Sequence, residues 1–399
     1  MITKKVEKLT HLEHIEDQAV NFGIDGIRQA ILFLIAAKNF FSGKPSQGTI
    51  VSLKIDGAPS IITGINPENG KFFVATKSFF SKDVKAYYTD SDIENAELPA
   101  GLASKLKIAL KEFPSLNIQG ILQGDYLFDR SDLRTKTIAG DSHIIFRPNT
   151  ITYAVAEDSD VGAAIKAANI GVAFHTQYLG KSLSTLVASL GFDARTLTKT
   201  PRVFVMNARV KDVSGALLLS KSEQQKLTEN LRELNKLSKD IEASNIHELM
   251  MFPEIITIIK RFTNANIRNN VTNMPVNQFV NRLITFVNAD LLKAVEKLKT
   301  EKHKAKTRDK FGNIITNIDK YRKTLEMLYT IQNKIVESKN IILAKTSDMG
   351  LMKSFIEEQN SLKVTAQEGL VIANNEGEAV KLVDRLEFSK QNFNLERNW

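Results

Sequence analysis

The spacing of apolar residues divides the chain into stretches with helical periodicity and stretches with strand-like alternation. In residues 11–41 apolar side chains recur at roughly helical spacing, which predicts a helical N-terminal segment. Residues 49–210 alternate apolar and polar positions over short runs, as strands do. Residues 220–359 return to helical spacing with long polar stretches, and strand texture reappears at 363–373 and 379–383.

Within the strand-rich stretch, clusters of turn residues mark where one element ends and the next begins. Strands are predicted at 49–55, 60–65, 71–76, 118–128, 150–157, 170–176 and 202–210, and helices at 101–112 and 161–169. The sequence therefore predicts a mixed α and β domain that a helical insertion interrupts. Its four parts are an N-terminal helical segment (1–46), the first part of the domain (47–212), the insertion (213–360) and the last part of the domain (361–399).

Composition narrows the classes of partner and of chemistry. The 399-residue chain has a formal net charge of +9, which suits a polyanionic partner such as nucleic acid. It has no cysteine, which excludes disulfides, thiolate zinc sites and cysteine nucleophiles. Residues 1–9 lack the apolar core of a secretion signal, and the longest apolar run, 30–37, is too short to span a bilayer. We therefore expect a cytoplasmic monomer that has no contact with a membrane.

The sharpest local signal is the run Lys54-Ile55-Asp56-Gly57 at the end of a predicted strand. A lysine at a strand end, followed by a tight glycine turn, can present its amine to the floor of a pocket. Lysine is a poor nucleophile while it is protonated, and it becomes effective when burial or a nearby positive charge lowers its pKa. A pattern this short also arises by chance, and the alternative is a plain Lys–Asp pair at a β-turn.

Other short motifs follow in a fixed order, and the series resembles that of the covalent nucleotidyltransferases, which include DNA ligases, RNA ligases and mRNA capping enzymes. The run at Lys54 resembles the first motif, and Lys77 in TKS stands near the family's Ser-Arg pair. Asp125 in ILQGDYLF resembles the third motif, and Tyr153 in ITYAV resembles the next. Toward the C-terminus, EGLVI at Glu368 and AVKLV at Lys381 resemble the fourth and fifth motifs. Phe388 and Ser389 also resemble a pair that trails the fifth motif in some RNA ligases.

The resemblance implies a role for each matched residue. Lys54 would attack the α-phosphate of ATP, while Lys381 would contact that phosphate and lower the pKa of Lys54 by like-charge repulsion. Glu368 and Asp56 would hold Mg²⁺, which prefers oxygen ligands. Asp125 would hold the ribose, and the Tyr153 ring would stack on the purine. The implied nucleotide-binding set is Asp56, Gly57, Lys77, Asp125, Tyr153, Glu368 and Lys381.

Structural explanations stay open for three of these residues. Asp125 could cap a turn, Tyr153 could belong to the core, and Glu368 with Gly369 could form an exposed hairpin. The implied fold is α+β, an ATP-grasp-like nucleotidyltransferase domain of antiparallel sheets flanked by helices. The implied reaction makes a lysyl-AMP intermediate, transfers AMP to a 5′-phosphate end, and seals that end to a 3′-hydroxyl.

Two positions depart from the family pattern, and the chain ends early. Pro59 stands where DNA ligases usually have arginine, and Val383 stands where the fifth motif usually has a second lysine. Because the chain ends at Trp399, we expect no OB domain after the fifth motif. These features favour a bacteriophage-type RNA ligase over a DNA ligase. Such an RNA ligase would act in the cytoplasm of a bacterial host. The alternatives are a capping-type enzyme that uses GTP and a phage nucleic-acid-binding protein with a decayed pocket.

A densely basic segment lies inside the predicted insertion. Its sequence, EKLKTEKHKAKTRDK, suits contact with a polynucleotide backbone, although a solvated charged helix explains it as well. The candidate nucleic-acid-binding residues are Lys297, Lys299, Lys302, Lys304, Lys306, Arg308 and Lys310. The histidines offer little: His11 and His14 suggest a solvated helix start more than a metal site, and His175 is interpreted as a structural strand residue.

Overall fold

The computed structural model describes residues 12–211, 213–271, 274–346, 349, 352–358 and 361–389, so His11 lies outside the described residues. The helices are α1 (Gln18–Phe41), α2 (Asp90–Glu94), α3 (Ala100–Glu112), α4 (Asp160–Ala167), α5 (Lys221–Glu242), α6 (Ile246–Leu249), α7 (Pro253–Arg268), α8 (Val276–Glu296), α9 (Glu301–Lys320) and α10 (Arg322–Leu343). The strands are β1 (Ile50–Lys54), β2 (Ser60–Ile65), β3 (Phe72–Ala75), β4 (Ile121–Asp129), β5 (Arg134–Ile138), β6 (Asp141–Phe146), β7 (Thr152–Ala156), β8 (Ile170–Leu179), β9 (Val187–Leu190), β10 (Val203–Val205), β11 (Arg209–Val210), β12 (Lys353–Glu358), β13 (Ser361–Thr365), β14 (Gly369–Ala373) and β15 (Ala379–Val383). The prediction of a mixed helix and strand fold is confirmed.

The strands form three sheets. The first has the order β11-β1-β14-β15, the second has the order β10-β8-β4-β2-β3 with β9 beside β8, and the third has the order β13-β12-β7-β6-β5. Every pairing is antiparallel except that of β8 with β10. The first sheet unites distant parts of the chain, since β1 pairs with β14 across all the helices from α5 to α10.

The helical stretch ends earlier than the sequence pattern predicts. The last helix, α10, ends at Leu343, and β12 already occupies Lys353–Glu358, within the segment predicted to be helical up to residue 359. The strands β5, β6 and β9 were also not predicted. The residues of β5 are largely exposed, so this strand lacks the alternation of apolar and polar residues by which strands are recognised.

The N-terminal helix and the later helices form one layer. Helix α1 packs against α5 and α10, and the apolar side chains of these helices share a core with those of the first sheet. By length and composition alone, the helical span Ile15–Phe41 could cross a membrane, but about half of its most apolar window is buried inside the protein. A helix with apolar residues on several faces is expected in such an interior position.

The first sheet has two different faces because successive side chains of a strand point to opposite sides. Leu53, Leu370 and Leu382 are neighbours across β1, β14 and β15, and they are buried in the core shared with the helices. The opposite face carries Ser52 on β1 beside Val371 on β14. Lys381 on β15 lies next to Val371 and belongs to the same face, which looks away from the helices.

A buried group of charges ties the helical layer to both ends of the described chain. The amine of Lys339 on α10 donates to the Glu16 carboxylate at 2.7 Å and to the carbonyl of Val383 at 2.9 Å. The side chains of both ionic partners are at most 6% exposed. Beside them, the Arg385 guanidinium donates to Asp17 at 2.9 Å. This group fixes the N-terminal segment against the end of β15.

Replacing Lys339 by methionine is expected to destabilise the protein, because it leaves the Glu16 carboxylate buried without its closest partner. Breaking a buried pair in this way costs about 3–5 kcal/mol. Urea unfolding followed by circular dichroism measures the change. The matched control is Lys323→Met on the exposed side of the same helix, which is expected to change the free energy of unfolding by less than about 0.5 kcal/mol. Equal stability of the two variants would contradict the assignment.

Candidate functional site

A cleft lies between the first and second sheets. Its walls come from strands of both sheets and from the segment before α1. The lining residues are Leu12, Ser52, Leu53, Lys54, Ile55, Asp125, Ala173, His175, Leu190, Gly191, Ala208 and Val371. The cleft is therefore mostly apolar, with a few polar groups, as small-molecule sites commonly are.

Lys54 lies at the last position of β1, directly opposite Gly369 on β14. This pairing brings the preceding residue, Glu368, beside the lysine, and the Lys54 amine donates a hydrogen bond to the Glu368 carboxylate. Glu368 is almost fully buried, whereas the Lys54 side chain remains 28% exposed. The amine is thus paired yet accessible at one end of the cleft.

Lys381 lies near this pair on the neighbouring strand. Its backbone N–H donates to the carbonyl of Glu13, and His14 forms an isolated parallel β-bridge with Lys381, so the segment before α1 pairs with the edge of the sheet. The pKa of Lys381, which burial chiefly lowers, is also lowered by the Lys54 ammonium and raised by the Glu368 carboxylate, so Lys381 lies close to both groups. The three residues Lys54, Glu368 and Lys381, which come from both ends of the sequence, therefore lie together.

The pKa values of the two lysines differ from the sequence-based expectation. Burial by itself lowers the pKa of Lys54, but the facing carboxylates, foremost Glu368, outweigh it and place this pKa above its ordinary value. For Lys381, burial and then the charge of Lys54 lower the pKa. The expectation that the pKa of Lys54 lies below its ordinary value is therefore wrong for the ligand-free protein, because the ion pair with Glu368 outweighs the effects that lower it.

Asp56 anchors the loop that follows the lysine. One carboxylate oxygen accepts the backbone N–H groups of Thr150 and Ile151 at 2.6 and 2.8 Å, and the other accepts the Asn149 amide at 2.7 Å. The residue is 4% exposed. With three donors on its two oxygens, Asp56 positions the loop and does not fit the predicted role of a metal ligand.

Two glycines beside the site are required by close contacts of the backbone. A Cβ atom on Gly57 would lie 2.8 Å from the Cβ of Asp125, so only glycine lets this loop approach β4. At Gly369, φ is 157° and a Cβ atom would lie 2.0 Å from the carbonyl oxygen of Leu382. Both motif glycines thus bring a charged residue, Lys54 or Glu368, into the site.

Asp125 and His175 face the cleft from the second sheet. Asp125 lies on β4 and His175 on β8, and the His175 Nε2 atom is 3.7 Å from the Asp125 carboxylate. The other ring nitrogen, Nδ1, is 2.7 Å from the hydroxyl of Thr176. Among the residues that line the cleft, His175 has the only planar ring. His175 thus lies on a strand, as predicted, and its ring also lines the cleft.

Tyr153 does not reach the cleft. Its ring is fully buried in the core beside Phe146, and its hydroxyl accepts the backbone N–H of Asp56 at 2.8 Å. A ring without accessible surface has no face to offer a ligand, so the prediction that Tyr153 stacks on a purine is wrong. Through this hydrogen bond to Asp56, Tyr153 supports the loop after Lys54 from the side of the core.

Lys77 and the basic segment lie outside the cleft. Lys77 is exposed at the start of a short 3-10 helix after β3, and it is not among the lining residues. The basic residues 297–310 lie at the turn between α8 and α9 and along α9. Neither group contributes a side chain to the cleft.

The sequence analysis missed two polar groups in and beside the cleft. Ser52 is 5% exposed, lines the cleft, and has a hydroxyl oxygen without a hydrogen-bond partner among the described residues. His14, whose backbone bridges to Lys381, is held neutral because burial and then Arg385 place its pKa well below the usual range. The position of Ser52, two residues before Lys54, was a usable signal, since it puts both side chains on one strand face.

Comparison with known proteins gives a family but no activity. No curated protein and no solved structure shows significant similarity to the chain. A family model described as a family of unknown function, DUF6267, matches residues 9–397. Because this match covers nearly the whole chain, including every residue of the candidate site, the protein belongs to family DUF6267.

Proposed function

We propose that the protein is an ATP-dependent polynucleotide ligase that forms a covalent AMP adduct on Lys54. The observation that carries the proposal is that Lys54, which lines one end of a mostly apolar cleft, meets Glu368 and Lys381 there. An amine, a carboxylate and a second cation are the groups that an attack on a phosphate requires. The cleft between two antiparallel sheets also supports a nucleotidyltransferase domain of ATP-grasp-like type.

The cleft offers several polar groups to a nucleoside. The His175 ring provides a flat face near the Asp125 carboxylate, which can accept hydrogen bonds from ribose hydroxyls. The Ser52 hydroxyl, deep in the cleft and without a partner among the described residues, is available to a base edge. An unsatisfied buried hydroxyl is costly in the empty site, and a bound ligand would remove that cost.

In the first step, the Lys54 amine forms a bond to the α-phosphorus of ATP. The bond from that phosphorus to the bridging oxygen breaks, and pyrophosphate leaves with the electron pair. The ammonium proton passes to Glu368, its hydrogen-bond partner. Burial raises the pKa of Glu368, which makes this carboxylate a stronger base than a free glutamate. Lys381 stabilises the negative charge that builds up on the phosphate.

In the two later steps Lys54 is not the nucleophile, and Lys381 again stabilises charge on the phosphate. A 5′-phosphate oxygen attacks the adduct, which frees the Lys54 amine and gives an end capped by AMP. A 3′-hydroxyl then attacks that end and loses its proton to water, and AMP leaves with the electron pair of the broken P–O bond. In the proposed mechanism Lys381 stabilises the phosphate charge in each of these displacements.

The residues present fit Mg²⁺ only together with the nucleotide. Among the described residues no cluster of three histidine or carboxylate side chains could hold a metal ion, and the Asp56 oxygens are engaged. Among the described residues, Glu368 and the cleft-lining Asp125 offer carboxylate oxygens near Lys54. The ion would supply positive charge that neutralises the phosphates.

The experiment that tests the proposal is covalent labelling of the purified protein with ATP or GTP that is radioactive in the α-phosphate. Label from ATP alone supports the ligase, label from GTP alone indicates a capping-type enzyme, and no label from either indicates a protein that only binds nucleic acid. The labelled protein is then given RNA and DNA ends and nicks. Sealing of RNA ends in preference to DNA nicks is expected.

The pH dependence of labelling is expected to reveal Glu368 as the proton acceptor. If Lys54 and Glu368 share one proton, the pair has a single reactive protonation state, and the labelling rate is level over the pH range in which that state persists. On the acid side the pair takes up a second proton. Because the pKa of Glu368 is raised, the rate falls at a higher pH than the titration of a free glutamate would give.

The matched variant for the pH profile is Glu368→Gln, which removes the acceptor. Its rate is expected to rise about tenfold per pH unit over the same range, because Lys54 must then lose its proton to water. Single-turnover labelling measures both profiles. A wild-type rate that climbs steadily without a level region would exclude this role of Glu368.

A further inference from the structure

The end of α8 and the start of α9 project from the helical layer as a two-helix arm, defined here as residues 288–313. The last buried residue of α8 is Val287 and the first of α9 is Ile314, and no residue between them is buried. The two helices pack against one another along the arm. At 1.5 Å per residue, the exposed part of α9 extends roughly 18 Å beyond the core.

The arm carries an excess of positive charge. It contains eight lysine and arginine residues and four aspartate and glutamate residues. Two of the cations, Lys304 and Arg308, pair with Glu301 on the arm itself. The other six are exposed and have no carboxylate of the described chain within ion-pair distance: Lys293, Lys297, Lys299, Lys302, Lys306 and Lys310.

The composition of the arm indicates which polyanion fits it. Binding of single strands relies on aromatic rings on which unpaired bases stack. The arm has two aromatic rings: Phe311 packs against the core, and His303 is exposed, so no row of exposed rings is available for successive bases. A membrane surface would need a row of apolar anchors, whereas Leu292 is the only large apolar side chain of the arm that is strongly exposed. Cations on a rigid helical pair match a regular array of phosphates.

We propose that the arm holds the sugar-phosphate backbone of a base-paired polynucleotide, without reading its sequence. The inference rests on the proposed function in one respect, that the bound duplex contains the ends to be joined. Binding itself does not depend on Lys54. Each phosphate neutralised by a lysine releases condensed counterions, so the affinity falls steeply as salt increases.

The test compares two variants that lose the same charge. The arm variant replaces Lys297, Lys299, Lys302 and Lys306 by glutamine, and the control variant replaces the exposed Lys221, Lys236, Lys239 and Lys323 of α5 and α10 by glutamine. Fluorescence anisotropy measures the binding of a DNA duplex, an RNA hairpin, an unstructured single strand and phosphatidylserine vesicles over a series of salt concentrations. Labelling of Lys54 by ATP is measured on the same preparations.

The arm variant is expected to bind both base-paired probes at least about tenfold more weakly near 0.1 M salt. Its slope of log affinity against log salt is expected to be less negative by about 2–4 units for the DNA duplex. The control variant should keep the wild-type slope. Equal losses in the two variants, or tighter binding of the single strand or the vesicles by the wild type, would overturn the proposal.

The two proposals fail in distinguishable ways. If the wild type takes no label from ATP but the arm variant alone loses duplex binding, the arm is assigned correctly and the ligase proposal is not. If the protein is labelled normally and the arm variant binds duplexes as the wild type does, the ligase proposal stands and the assignment of the arm is wrong.

Discussion

Replacing Lys54 by arginine should abolish labelling by ATP, with a loss of at least about 10⁴-fold, as expected when a covalent nucleophile is removed. Arginine keeps a positive charge beside the buried Glu368, so the variant avoids leaving that carboxylate unpaired. Its guanidinium stays protonated and cannot form the bond to phosphorus. Labelling followed by gel autoradiography measures the loss.

The Lys54→Arg protein also provides its own control. A polynucleotide that already carries AMP on its 5′-phosphate needs no lysine nucleophile, because only the attack of the 3′-hydroxyl remains. We expect the variant to seal such an end at a rate within about tenfold of the wild type, which would show that it is folded. Labelling of the variant at the wild-type rate would contradict the role of Lys54.

Replacing Lys381 by glutamine is expected to give the second-largest effect. Lys381 lies on the cleft face of β15, close enough for the charge of Lys54 to lower its pKa. If it stabilises charge on the phosphate, its loss should lower the maximal labelling rate about 10²–10³-fold, the usual effect of removing one such group. Both labelling and the sealing of a pre-adenylated end should slow, whereas Lys54→Arg affects labelling alone.

The control for Lys381 is Lys77→Gln. The sequence motifs predict a nucleotide contact for Lys77, but its side chain is exposed and lies outside the cleft. Its replacement is therefore expected to change labelling by less than about threefold, a surface-like effect. An effect of Lys77→Gln as large as that of Lys381→Gln would favour the motif over the geometry of the ligand-free protein.

Sequence pattern located the strands of the site but not their pairing. The run after Thr49 and the run at 379–383 alternate in the way that strands do, and both are strands. The pairing of β1 with β14 spans a helical stretch of more than a hundred residues, and no local pattern encodes that register. The prediction that Glu368 and Lys54 share one site came from the order of the motifs along the chain, and not from the periodicity of apolar residues.

The two rings show what alternation leaves undecided. Tyr153 and His175 both lie on predicted strands, and the period of two assigns each ring to one of two faces. Which face meets the core and which meets the cleft depends on the sheet that packs opposite. Tyr153 faces the core, the alternative that the sequence left open, and His175 faces the cleft.

The pKa of Lys54 depends on distances that a sequence does not contain. Lys381 and Glu368 have opposite effects on it, and the nearer group decides the outcome. The Glu368 carboxylate accepts a hydrogen bond from the Lys54 amine. The pKa of Lys54 is therefore raised, whereas the resemblance to the motifs led us to expect a lowered pKa. The proposed transfer of the Lys54 proton to Glu368 rests on this contact.

The most direct measurement is the identity of the residue that carries AMP. The wild-type protein is incubated with ATP and Mg²⁺, digested with protease, and analysed by mass spectrometry for peptides heavier by one AMP group. We predict a single modified peptide, with the added mass on Lys54. Modification of Lys381 in its place, or no modified peptide under conditions where the intact protein binds ATP, would contradict the proposed mechanism.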